Sequence, residues 1–214
     1  MVEIFMVFMK APSLGDWRAY VDGLPEGDDK VLFQALYLTC SRASELALRV
    51  VKAEKFTKPY GQFLSYRIES FNGEPVLVLD VAVLKRKEKR KKAKSNIVFK
   101  TIALPCSPKV EPWTLSLLKY IHKHKALAFP LDRRQMLYRT KKWFSRMEKN
   151  MTTHSLRHFR ISHLAQYYGF SPMELCQFAG WTFRAGMGAS GQLDTYLHLS
   201  WQNYFPKLLR PLPA

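Results

Sequence analysis

Two apolar runs flank a dense block of cations. "EPVLVLDVAVLK" begins at Glu74, "NIVFKTIALP" begins at Asn96, and between them eight of the ten residues from Lys85 to Lys94 are Lys or Arg. Runs rich in Val, Leu and Ile read as β-strands. The cations repel one another and hold their hydration, so they stay out of the core. Both demands are met when the runs pair antiparallel and the charged block forms the tip of a hairpin. Most of its lysines serve there as a solvated charge run.

The rest of the chain reads as helical. From Lys30, "KVLFQALYLTCSRASELALRVVKAEKF" spaces Leu32, Leu36, Leu46 and Val50 on helical periods, and predicts two helices meeting near Thr39–Ser41. "TLSLLKYIHKHKAL" and "DRRQMLYRTKKWFSRMEKN" read as helices with Thr114 and Asp132 as N-caps. "THSLRHFRISHLAQYYG" is a further helix, ending on Gly169 as its C′ residue. In "SPMELCQFAGW", Ser171 caps, Pro172 takes the first helical position and Glu174 completes a capping box. "FRAGMGASGQLD" is a glycine-rich loop and "TYLHLSWQNYFPKLL" a last helix. The expected class is mostly α with a small antiparallel β-sheet, an α+β fold.

Charge narrows the partners. The 214 residues carry 34 Lys and Arg against 17 Asp and Glu, a formal charge of +17. Such an imbalance implies a polyanion, and nucleic acid before all others. No long basic amphipathic helix suggests a membrane surface. Cys40, Cys106 and Cys176 lie far apart in sequence and read as buried thiols of a reducing compartment. The start, "MVEIFMVFMK", is too short to span a bilayer and is followed by no small-residue cleavage site, so the expected location is cytoplasmic, in a host cell or on its nucleoid. Neither a phosphate-binding glycine loop nor a metal-ligand pattern is present, so no cofactor and no metal are expected.

Chemistry concentrates in "HSLRHF". His154 and Arg157 are three apart on the first turn of a helix, whose N-terminal amides add partial positive charge. Together they make a pocket for phosphate. Arginine suits that task without a metal, because its guanidinium fork matches phosphate oxygens. By itself the pair better fits a core histidine and a surface arginine. Other groups accompany it: Arg42 with Glu45 one turn later in "SRASELALRV", the hairpin lysines, Trp181 in "AGWT" and Tyr196 in "DTYLH".

This ordered set resembles the tyrosine recombinase (phage integrase) family. "SRASELALRV" is similar to that family's Gly-Leu-Arg-x-x-Glu box, with Ser41 where glycine is usual; "HSLRH" resembles its His-x-Leu-Arg-His box and "AGWT" its Gly-His/Trp box. The resemblance runs from about Leu32 to the end and implies the recombinase catalytic-domain fold over 29–214. It leaves 1–28 as an N-terminal segment or linker remnant, of an excised fragment or a reduced protein. Longer steps from Arg42 to the hairpin and from Trp181 to Tyr196 make it more similar to archaeal and viral integrases than to bacterial members.

What the resemblance implies is site-specific cleavage and rejoining of double-stranded DNA through a 3′-phosphotyrosine. Tyr196 is then the nucleophile, with Tyr204 as rival. Arg42 and Arg157 hold the phosphate oxygens, His154 assists proton transfer, and Trp181 donates its indole N–H or packs the site. Lys85, or Lys87 on the same strand face, protonates the leaving oxygen. Glu45 orients Arg42. Lys87, Lys89, Arg90, Lys91, Lys92 and Arg160 contact DNA. The family implies a homo-oligomer, a tetramer on DNA and a monomer when free. Two other readings stay open: relaxation of DNA in the manner of a type IB topoisomerase, and a DNA-binding remnant without catalysis.

Overall fold

The computed structural model describes residues 11–47, 65–83, 99–125, 129–144, 151–181 and 200–210. Within them the chain forms, in order, α1 (Leu14–Asp22), α2 (Asp28–Leu38), α3 (Ala43–Leu46), β1 (Ser65–Phe71), β2 (Glu74–Ala82), β3 (Phe99–Pro105), α4 (Thr114–His124), α5 (Arg133–Phe144), α6 (Thr153–Gln166), α7 (Pro172–Ala179) and α8 (Trp201–Leu208). This is the expected α+β class. No helix among the described residues is long and apolar enough to cross a membrane.

The two apolar runs become β2 and β3, paired antiparallel from Val76↔Pro105 to Ala82↔Phe99. The strand ends that bracket the cationic block in sequence, Ala82 and Phe99, are therefore paired. A third strand, β1, was not anticipated. It pairs with β2 through a turn at Asn72 and Gly73, with φ of 52° and 84°. Positive φ at both central residues defines a type I′ hairpin, for which Asn-Gly is the favoured pair. Strand order is β1-β2-β3, which leaves β3 with a free edge. Tyr204 of α8 covers it: the Ala103 amide donates to the phenol oxygen at 3.0 Å, and the phenol donates to the Thr101 carbonyl at 3.3 Å.

Helices build the larger core. Trp17 of α1 stacks near Phe33 and Tyr37 of α2 and meets Phe159 of α6 edge-on, with ring centroids 5.2–5.5 Å apart. Leu14, Trp17 and Val21 recur at helical spacing and are buried. So residues from α1, inside the 1–28 segment, belong to the same core as the helices that follow.

Local expectations hold with two shifts, at Gly169 and Thr114: Tyr167 is the C-cap of α6, so Gly169 stands one residue beyond the expected C′ position. Ser171 accepts from the Glu174 amide and Glu174 accepts from the Ser171 amide, closing the capping box around Pro172. Asp132 caps α5 by accepting from the amides of Arg134 and Gln135. Gly169 turns the chain after α6 with φ of 65°. Thr114, by contrast, is the first helical residue of α4, and the cap position belongs to Trp113. α2 and α3 meet over Thr39–Arg42, as the periodicity predicts.

Candidate functional site

The turn between α2 and α3 is the base of the site. α2 runs out when the Thr39 and Cys40 amides bond Ala35 and Tyr37 carbonyls and the Ser41 amide reaches back to Leu36. Cys40 takes a left-handed conformation, φ 50°, which a side chain with a Cβ rarely adopts. The chain then re-enters a helix at Arg42. Glu45 secures that start twice: one carboxylate oxygen accepts from the Arg42 amide at 2.9 Å, the other from Arg42 Nη1 at 2.7 Å. Glu45 is buried, whereas the Arg42 side chain is 20% exposed. The guanidinium is thereby oriented while its side chain stays partly exposed, the orienting role expected of Glu45.

Arg157 ties three segments together. Projecting from the second turn of α6, it donates Nη1 to the Cys40 carbonyl at 2.6 Å and Nη2 to the Ala179 carbonyl at 2.8 Å. Its guanidinium carbon lies 5.1 Å from the ring centre of Trp181. The side chain is 1% exposed, and Nε is buried with no acceptor. One side chain thus joins the turn that precedes Arg42 to the helix end that precedes Trp181, a result no single sequence box could announce. Burial, with repulsion from Arg42, pulls the Arg157 guanidinium below its ordinary value. An arginine stays charged all the same.

Lys100 is a member the sequence reading missed. It lies on β3 in phase with the buried Ile102 and Leu104, and is itself buried. Its Nζ donates to the Thr39 carbonyl at 2.8 Å and the Cys40 carbonyl at 3.1 Å. A lysine in core register within a strand was the available signal, overshadowed by the larger charge run beside it. Its stem packs on Gly180, the left-handed residue that ends α7 at φ 69°. A Cβ there would fall 2.8 Å from Val83 Cγ2 and 3.1 Å from Lys100 Cδ. Glycine at this position therefore lets α7 deliver Trp181 beside Arg157.

The electrostatics favour an anion. Arg42, Lys100 and Arg157 act on one another, and Glu45 is the one carboxylate acting on both Lys100 and Arg157. Burial is the main reason that the Lys100 ammonium falls to about 8, with Arg157 and Arg42 pushing the same way and Cys40 and Glu45 opposing. His154 sits one turn before Arg157, exposed, its ring edge-on to His158 at 4.6 Å. Trp181 is 39% exposed and lines a cavity of about 320 Å³, together with Lys100, Thr101, Gln177, Arg67 and Trp201. Among the described residues no group of three or more His, Cys, Asp or Glu could hold a metal ion.

Two sequence expectations need correction, and one rival is removed. Arg157, expected to hold phosphate oxygens, is 1% exposed and gives both η nitrogens to backbone carbonyls. Arg160, expected on DNA, is fully buried: Nη1 donates to Glu111 at 3.0 Å, and the guanidinium faces the rings of Tyr37, Tyr168 and Phe178. One helical turn from Arg157, it points into the core between α2, α6 and α7. Tyr204, the rival nucleophile, is also fully buried, with its hydroxyl committed to β3 and its pKa driven up by burial. Tyr196 and the hairpin cations Lys85, Lys87, Lys89, Arg90, Lys91 and Lys92 lie outside the described residues.

No family model matches the chain, and no curated protein and no solved structure is significantly similar to it.

Proposed function

We propose that the chain is a DNA strand-transfer enzyme of the tyrosine recombinase type, with the fold of that family's catalytic domain. One observation carries the reading. Arg157 of "HSLRH" bonds the carbonyl two residues before Arg42 and the carbonyl two residues before Trp181. Boxes more than a hundred residues apart in sequence meet at one cationic centre, next to the strand ends that bracket the basic block.

In this mechanism the Tyr196 oxygen attacks the scissile phosphorus. The phosphorus–O5′ bond breaks, Tyr196 becomes a 3′-phosphotyrosine and a proton is delivered to the departing 5′ oxygen by Lys85 or Lys87. His154 assists removal of the phenol proton. Arg42, partly exposed, holds the oxygens on which negative charge grows. Arg157 reinforces the same field and fixes the turn that carries Arg42. Attack by a 5′-hydroxyl on the phosphotyrosine reverses the steps and rejoins a strand, so no nucleotide is consumed.

A second reading has its own support. Both η nitrogens of Arg157 are occupied by backbone carbonyls, which suits a DNA-binding module in which this arginine is a strut. A nicked suicide duplex separates the two. We expect a covalent protein–DNA adduct that Tyr196→Phe abolishes and Tyr204→Phe retains, although Tyr204→Phe lowers stability by about 1–3 kcal/mol through the orphaned Ala103 amide. Salt-sensitive binding with no adduct selects the binding module. Relaxation of supercoiled plasmid without partner exchange selects the topoisomerase.

A further inference from the structure

Lys100 is a cation placed where the fold calls for an apolar side chain. A buried ammonium is strongly unfavourable unless acceptors meet it. Here the acceptors are two backbone carbonyls, those of Thr39 and Cys40. The Cys40 carbonyl also accepts from Arg157. Two cations thus converge on a strained turn, and the residue that leaves the turn is Arg42. The groups acting on Lys100 come from each side: Cys40 on the turn, Arg42 and Glu45 at α3, and Arg157 of α6. At the end of α7 the Gly180 backbone packs beside its stem, and Cys176 of α7 and Arg67 of β1 line the same cavity.

We propose that Lys100 is a positioning residue whose charge is linked to DNA binding: it clamps the Thr39–Cys40 turn that aims Arg42, and a phosphate held at this centre draws a proton onto it. The choice of ligand rests on the functional reading above; the clamp does not.

The sign follows from the chemistry. Lys100 is already depressed toward neutrality, to about 8, by burial and by its arginine neighbours. A phosphate supplies the missing negative charge and favours the ammonium. DNA binding near or above that pH therefore takes up a proton, and affinity declines as pH rises past it. A unit charge about 10 Å from a phosphate, at an effective dielectric of about 20, is worth on the order of tenfold in affinity.

Two measurements on the full chain test this. The first follows the Thr39 and Cys40 carbonyl carbons by NMR without ligand. We expect both resonances to titrate with a midpoint of about 8, and to stay flat in Lys100→Met. The second titrates a short duplex DNA near that midpoint in buffers of different ionisation enthalpy. Wild type should take up about half a proton just above the midpoint, the most that a tenfold coupling allows, and less at higher and lower pH; Lys100→Met should take up none and bind about tenfold more weakly at neutral pH. Lys100→Arg, charged throughout, should keep its affinity in alkali. A merely structural Lys100 would lower the melting temperature of Lys100→Met and leave proton uptake intact, which overturns the inference. So would wild-type carbonyls that do not move across the range, a result that needs no variant to fold. Absence of any duplex binding overturns the functional reading, and the carbonyl titration still decides the clamp.

Discussion

Arg160 and Glu111 offer a sharp test of how the core treats charge. Nη1 and Oε2 are 3.0 Å apart, and the two side chains are 0% and 3% exposed. Burial disfavours the guanidinium charge, but Glu111, aided by Tyr37 and Tyr168, outweighs it and keeps Arg160 charged. Glu111→Leu leaves that charge buried with no counter-ion, since arginine cannot shed its proton. The expected loss is about 3–5 kcal/mol, a large share of the roughly 5–15 kcal/mol that holds a typical domain together. Arg160→Leu strips the Glu111 carboxylate of its counter-ion and should also destabilise. The double variant, Arg160→Leu with Glu111→Leu, removes both charges and should fall within about 2 kcal/mol of wild type, since apolar side chains often replace a buried pair with little loss. Urea unfolding of the four proteins gives the coupling as a double-mutant cycle. Singles that simply add in the double variant would refute the account. A further result would also refute it: Arg160→Leu that folds normally but lowers the salt slope of DNA binding by about one would mark Arg160 as a phosphate contact after all.

Two more predictions concern single sites. Gly180→Ala adds a methyl at φ 69° and within 2.8 Å of Val83 Cγ2, so it should destabilise by about 2–4 kcal/mol from the left-handed backbone and the overpacking together; a neutral or stabilising effect in thermal unfolding would mean that α7 stands off from β2 and β3. His163 is held neutral, its pKa brought to about 4 chiefly by burial, against the opposing bond to Pro12. Nε2 donates to the Pro12 carbonyl at 2.8 Å, so Nδ1 accepts from the Tyr37 hydroxyl at 2.7 Å. Because the unfolded chain binds this proton first, stability should fall as pH drops from about 6.5 to about 4, by up to about 3 kcal/mol. His163→Gln should lose most of that slope in urea titrations; a slope equal to wild type would assign it to other groups.

Local order was legible wherever neighbours in sequence settle the matter. The capping box of Ser171 and Glu174, the cap at Asp132 and the break between α2 and α3 follow from contacts a few residues long, and the pairing of β2 with β3 from two apolar runs that flank one block of cations. β1 escaped because "SYRIESF" offers only a short alternation, Tyr66 with Ile68, among polar residues, and that face stays exposed; the Asn72-Gly73 pair was the available signal of its hairpin. The order of the boxes carrying Arg42, His154, Arg157 and Trp181 was likewise visible in the chain. What sequence could not decide was direction. Arg157 and Arg160 are three residues apart on one helix, equally charged, and both are buried. One meets the carbonyls of a turn and a helix end, the other a carboxylate inside the aromatic core. Lys100 shows the same dependence: a lysine side chain whose burial is decided by which face of β3 the sheet turns inward. Burial and partner choice depend on segments distant in sequence, and only packing brings those segments within hydrogen-bond reach.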